Sequence, residues 1–462
     1  MMSKILRILR EAMIGEEQEF TSGNINRAIV LLSIPMVLEM LMEGVFAIVD
    51  AFWVSKISVN AMATVGLTES ILTLVYSLAV GMSAAATAMV ARRIGEHDPE
   101  GASKAAVQAT LIAVFISVIM GLPGFIFAED ILRLMGGSES LIAECSGYTR
   151  IMFGSNIVIM LLFLFNAVFR GAGNATYAMW VLFISNLINL VLDPLLIFGW
   201  GPFPELGVQG AAVATVTGRS IGVAMQLYLL LRGVGLVKIV RRHLVIVRHT
   251  LVRLIQLAAG GTGQYIISSA SWVFLVRIVS EFGSEAVAGY TIAIRIIIFT
   301  FMPVWGLGNA AATLVGQNLG AQQPERAETS AWRTAHFTML FLVFVSVTLI
   351  VIAPYLLPMF NPEQSVVRQG VMTLRIFCVS YCIFAYGLVL SQSFNGAGDT
   401  RTPTIVNFIC FWLIEIPLGY FLAMVMGWEV AGVCWAVAIS ETLMSIIMIM
   451  LFRQGRWKLV EV

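Results

Sequence analysis

The chain contains two versions of one pattern. Val80 to Gly95 reads VGMSAAATAMVARRIG and Trp305 to Gly320 reads WGLGNAAATLVGQNLG, 225 positions later. The same displacement carries Arg170-Gly171-Ala172-Gly173 onto Asn395-Gly396-Ala397-Gly398, and Asn60-Ala61-Met62-Ala63 onto Glu285-Ala286-Val287-Ala288. It also pairs Arg150, in YTRIMF, with Arg375, in TLRIFC. One offset linking four separated stretches predicts two structural halves of the same design, a plan common among membrane transporters.

Composition sets the solvent. Hydrophobic residues make up 59% of the chain and charged residues 12%, against roughly 45–50% and 25% in soluble domains. Runs such as 107–127, 151–169 and 338–353 approach or exceed the roughly 20 residues that cross a bilayer as helix. The alternating segments of a barrel are missing. The expected fold is an all-α polytopic membrane protein with about twelve transmembrane helices in two six-helix lobes. The expected spans are 27–53, 61–91, 103–127, 142–169, 176–199 and 209–232, then 254–280, 286–316, 329–353, 368–394, 403–426 and 430–452.

Of the 28 Lys and Arg residues, about twenty fall on one side of this layout, and only Lys56, Arg133 and Arg368 on the other. The positive-inside rule then puts both termini in the cytoplasm. The layout reads as an N-terminal segment over 1–24, an N-lobe over 25–232, a basic inter-lobe loop over 233–253, a C-lobe over 254–452 and a tail over 453–462. Lys4 to Arg10 alternates basic and apolar residues at helical spacing, as in an amphipathic helix lying on the inner membrane surface. Six spans per half make the repeats parallel, with a cleft between them. Gly66, Gly81, Gly171, Gly173 and their counterparts let helices approach closely or turn sharply and read as packing.

A carboxylate deep in a bilayer costs about 2.5–3.5 kcal/mol on insertion scales, so each one calls for a reason. The first span holds Glu39, Glu43 and Asp50, which fall on one helical stripe. Such a stripe lines a wet cavity or meets cations; arginine pairing is the alternative for Glu39 and Glu43, and less so for Asp50. The fifth span carries Asn186, Asn189 and Asp193 on one face, followed by Pro194. Pro194 leaves the Leu190 carbonyl without its helical donor. Carboxylate, amide and carbonyl oxygens together suit a hard cation or a proton; Thr215 and Asn166 are candidates to complete the set. The bland alternative is a hydrogen-bond network that only joins helices. Gln264, Trp272, Met302 and Trp305 are candidates for the cleft wall or for plain core. Glu415 and Glu441 are further candidate cleft acids, and Glu69–Arg295 is a candidate pair between the halves.

Enzyme signatures are missing: no GxxxxGK[ST], HExxH or GxSxG occurs, and the four histidines (97, 243, 249, 336) are dispersed. The five cysteines fall in apolar spans or at their edges and read as small packing residues. No catalytic residue, cofactor or nucleic-acid partner is expected. Transport driven by an ion gradient, or passive transport, is.

Six stretches together resemble the MATE (multidrug and toxic compound extrusion) family: IPMVLEMLMEGVFAIVDAFWV at 34–54, GMSAAATAMVARRIGEHD at 81–98, FRGAGNATYAMW at 169–180, NLINLVLDPLLIFG at 186–199, GVQGAAVAT at 207–215 and FNGAGDTRTPT at 394–404. The resemblance implies two six-helix lobes around a V-shaped cleft, and antiport of organic cations against H⁺ or Na⁺. It places Asp50 at the family's first-helix aspartate, and Asn189, Asp193 and Thr215, with Asn166 nearby, at the cation- and proton-responsive site of DinF-like members. A bound Na⁺ would sit among Asp50, Asn189, Asp193 and Thr215. NorM-type members use a seventh-helix glutamate in the C-lobe. This chain has no acid between Arg253 and Val279, and no aspartate in its tenth span, so the resemblance leans to DinF-like members. Glu43 stands where many relatives carry an amide. The expected partners are small organic molecules and the lipid bilayer, with the chain acting as a monomer in the cytoplasmic membrane. A flippase for lipid-linked amphiphiles is the rival reading, and a membrane enzyme a remote one.

Overall fold

A computed structural model describes residues 10–13, 15 and 20–462. The amphipathic segment expected from Lys4 onward lies largely outside the described residues. Among the described residues the chain is helical throughout, without strands.

The helices run α1 (Ile25–Val54), α2 (Val59–Gly95), α3 (Pro99–Ile126), α4 (Glu139–Gly154), α5 (Asn156–Gly171), α6 (Ala175–Phe198) and α7 (Val208–Arg232). The second series is α8 (Arg248–Ser280), α9 (Ser284–Gly320), α10 (Pro324–Leu356), α11 (Gln364–Ala397), α12 (Arg401–Val425) and α13 (Glu429–Arg453). Ten of these rods are long and apolar enough to cross a membrane, and the α4–α5 pair, bent by 41°, makes an eleventh. The remaining rod, α8, has 33 residues, about 50 Å of helix, but its middle is rich in Gly, Thr, Gln and Ser. It is long enough to cross and too polar to count on composition.

The single span expected over 142–169 is broken at Ser155. A Gly-Ser pair is a known kink site, and here the Ser155 hydroxyl donates back to the Ile151 carbonyl at 2.7 Å. The seventh span starts at Arg248, six residues before the expected 254. Residues Phe408–Glu415 and Phe421–Val425 of α12 are wound as π-helix, which the apolar pattern did not announce.

The repeat is present in the backbone. Helices α2 and α9 are both 37 residues long, and both their starts and their ends lie 225 positions apart. A proline opens α3 and α10 at Pro99 and Pro324. Just before each, a non-glycine residue adopts positive φ: His97 at 57° and Gln322 at 59°. Two large apolar cores form, one drawing on the first half and the start of α8 (residues 54–258) and the other on residues 275–457.

The halves are joined crosswise. α1 packs along α9, and α2 along α8. The two repeated segments are themselves the seam. A Cβ on Gly81 would lie 2.6 Å from the Thr262 nitrogen, and one on Gly95 would collide with the Gln317 carbonyl. This end of the bundle carries the basic residues. There Arg92 donates to the Val460 carbonyl at 3.1 Å and Arg93 to that of Val462 at 3.3 Å. Farther along α2, Glu69 and Ser70 are exposed, as is Arg295 on α9.

Candidate functional site

On α6, four-residue spacing aligns Asn189 with Asp193. The Asn189 Nδ2 donates to Asp193 Oδ1 at 3.1 Å and to Thr215 Oγ1, on α7, at 3.3 Å. Gly218 on α7 lets the two helices approach: a Cβ there would lie 2.7 Å from the Ser185 carbonyl. Asp193 is 0% exposed, and its Oδ2 has no hydrogen-bond partner. Asp50 reaches the same region from α1; it is 8% exposed, and its Oδ1 is likewise unpartnered. The two carboxylates are near enough for their charges to interact. Neither takes part in an ion pair among the described residues. Asn186, on the same face of α6, donates from Nδ2 to the Met42 carbonyl at 3.1 Å and fastens α6 to α1.

The other two acids of the α1 stripe meet arginines. Glu39 Oε1 and Arg170 Nη1 form a buried pair at 2.6 Å. Glu43 Oε2 lies 3.7 Å from Arg219 Nη2. Arg219 also sits over the Phe46 ring, 5.0 Å from its centroid, and its charge is felt at Asp50 and Glu69. Arg219 is the residue that sequence reasoning passed over. The available signal was its place one helical turn beyond Thr215. Arg170 turns inward from the last turn of α5 and is buried.

Asn166 is not joined to this group. Its Oδ1 accepts from Gln226 Nε2, a buried amide pair between α5 and α7. Gln264 is occupied by Asn395, with Nε2 to Oδ1 at 2.9 Å and a return bond at 3.1 Å. Met302 packs against Gly44 at the α1–α9 crossing, Trp272 stacks on Phe377, and Trp305 is 40% exposed. The Glu69–Arg295 pair does not form; the cation electrostatically linked to Glu69 is Arg219. Among the described residues, no group of three or more His, Cys, Asp or Glu side chains is placed to hold a metal ion.

The profile of the family named MatE matches this chain twice, over residues 35–195 and 262–421, one match to each half. This chain belongs to the MATE family. Among similar proteins, the Probable multidrug resistance protein YoeA of Bacillus subtilis strain 168 is 28% identical, over 96% of each chain. The Probable multidrug resistance protein NorM of Thermotoga maritima is 25% identical over 94% of this chain and 93% of its own. The FAD transporter of Shewanella oneidensis is 24% identical over 92% and 94%. A solved structure described as the outward-facing conformation of a multidrug resistance MATE family transporter superposes with a TM-score of 0.89 at 24% identity, covering 96% of this chain and 99% of the other. Another, of a MATE protein in its straight conformation, also gives 0.89 at 24% identity, over 96% and 98%. The expected MATE fold is therefore the observed one.

Proposed function

We propose that this chain is a secondary-active exporter that moves organic, cationic amphipathic compounds out of the cell against inward flow of H⁺ or Na⁺. The observation that carries the reading is the Asp50–Asp193 pair: two buried carboxyls on different helices, each with an unpartnered oxygen and neither in an ion pair among the described residues. Buried charges without counter-ions are retained in membranes where they bind something that comes and goes.

Around them, Glu43, Asp50 and Glu69 share one arginine, Arg219, and Asp193 has Asp50 and Asn189 beside it instead. That imbalance favours cations at the cleft wall. Protonating Asp50 or Asp193 removes the repulsion between them and lets α1 draw toward α6, reducing the negative charge that holds a cationic substrate. Release of the cation on the basic, cytoplasmic side restores the charge. As oriented, Asn189 turns its N–H group to Asp193 and Thr215, an arrangement that suits a carboxyl group more than a metal ion and so supports the proton. The bias of Lys and Arg to one end supports a cytoplasmic-membrane protein with both termini inside.

The test is efflux of a fluorescent organic cation from liposomes containing the purified protein, with pH and Na⁺ gradients imposed separately. The pH gradient is expected to drive efflux, and Asp50→Asn and Asp193→Asn are each expected to reduce it to the protein-free background while leaving insertion and folding intact. Normal efflux by either variant overturns the site. Lipid scrambling without cation efflux replaces the exporter reading with the flippase.

A further inference from the structure

The C-terminal half has buried acids of its own. Glu415, on α12, is 2% exposed, and Glu441, on α13, is 6% exposed. Their charges interact with one another, and neither forms an ion pair among the described residues. Glu441 Oε2 has no hydrogen-bond partner. Around them stand neutral groups from every packed neighbour: Ser271 on α8, Tyr290 on α9, Ser380 and Tyr381 on α11, and Cys410 and Cys434 on their own helices. The exposed Arg277 on α8 is held at the surface by Glu281, at 3.0 Å.

Two independent features point into this cluster. The Tyr290 hydroxyl, on a side chain 1% exposed, has no partner and interacts with both glutamates. Glu415 is the last residue of the π-helical stretch Phe408–Glu415. Such wide turns are costly departures from α-helix and recur at functional sites. The repeat adds a third point. Gly210 opens α7 against the Leu196 carbonyl, and Gly432 opens α13 against the Ala423 nitrogen. Aligning these two glycines sets Glu441 opposite Arg219, so the charge at that place is reversed between the halves.

We propose that Glu415 and Glu441 form a second exchangeable-proton site, in the C-terminal half. Two buried carboxylates with no cation cannot both stay ionised without a large desolvation cost; a proton on either one removes the repulsion, with the Tyr290 hydroxyl available as a further donor. The site uses neither the seventh nor the tenth span, and it stands whether or not Asp50 and Asp193 couple transport.

The test is infrared difference spectroscopy of the full-length protein in lipid nanodiscs, titrated with pH in H₂O and D₂O. The Asp50→Asn/Asp193→Asn variant, which lacks the carboxyls of the proposed coupling site, is expected to keep a titrating, deuterium-sensitive band of a protonated carboxyl. Adding Glu415→Gln/Glu441→Gln to that variant is expected to abolish the band, and adding Glu441→Asp alone to keep it. An unchanged band in the quadruple variant overturns the proposal, as does absence of the band from Asp50→Asn/Asp193→Asn. A band in Asp50→Asn/Asp193→Asn that Na⁺ abolishes at constant pH makes this a sodium site and also overturns it. Where the quadruple variant fails to fold, Glu441→Gln alone in the same background is expected to shift or abolish the band, and an unchanged band there overturns the proposal.

Discussion

The two halves share a backbone and differ in the charges built onto it. In the N-terminal half, α1 and the end of α5 are tied by the ion pair Glu39–Arg170. At the matching place, 225 residues on, α8 and α11 are tied by the neutral pair Gln264–Asn395. The geometry of the contact survives while its charge does not. Glu43, beside Arg219, becomes Ser268, and Asp50 becomes the fully buried Leu275. Both halves therefore pack in the same way, and the carboxylates of α1 that we propose face the coupling cation have no counterpart on α8. The C-terminal half keeps its acids elsewhere, on α12 and α13. A buried ion pair is not the cheaper way to join two helices.

Making the N-terminal half copy the C-terminal one tests this most severely. Asp50→Leu, which installs the residue of the matching position, is expected to bring gradient-driven efflux to background in the liposome assay while the protein still folds. Next in size is the ion pair. Arg170→Met leaves Glu39 buried and unpaired, and the apparent stability in thermal unfolding is expected to fall by about 3–5 kcal/mol. Glu39→Gln with Arg170→Asn, which transplants the neutral pair, is expected to recover most of that loss. No recovery would mean that the two contacts are not equivalent. Removing the neutral pair itself, by Gln264→Ala, is expected to cost only about 1–3 kcal/mol, the penalty for unsatisfied amide groups. The smallest effect concerns the shared backbone. Gln322→Gly relieves a non-glycine residue at φ 59° and is expected to stabilise by up to about 1 kcal/mol; a loss would show that the Gln322 side chain holds the turn.

Much of the site was legible before the structure because membranes penalise what they do not need. Asp50, Asn189, Asp193 and Thr215 stood out as polar groups in apolar helices, and the i,i+4 spacing of Asn189 and Asp193 already put both on one face. What spacing does not convey is which helix stands opposite. Glu39 and Glu43 shared the stripe of Asp50, yet they face Arg170 and Arg219 on α5 and α7. Asn166 had the right depth and residue type, but its helix turns it to Gln226. In the repeat, the constant offset of 225 carries Asp193 onto Leu418, whereas a three-residue deletion placed before it would carry it onto Glu415. α6 and α12 run nearly in register from start to end, and the loop after α6 is longer than the turn after α12. The length difference therefore lies in the loop, and Asp193 matches Leu418.

Sequence alone determined the solvent, the duplicated plan and the helices that carry buried acids, since these follow from hydropathy, a constant offset and 3.6-residue periodicity. Only the tertiary structure decided which acids pair with arginine and which stay buried without an ion pair. That choice depends on side chains more than a hundred residues apart meeting across helix seams, and no local pattern encodes such a meeting.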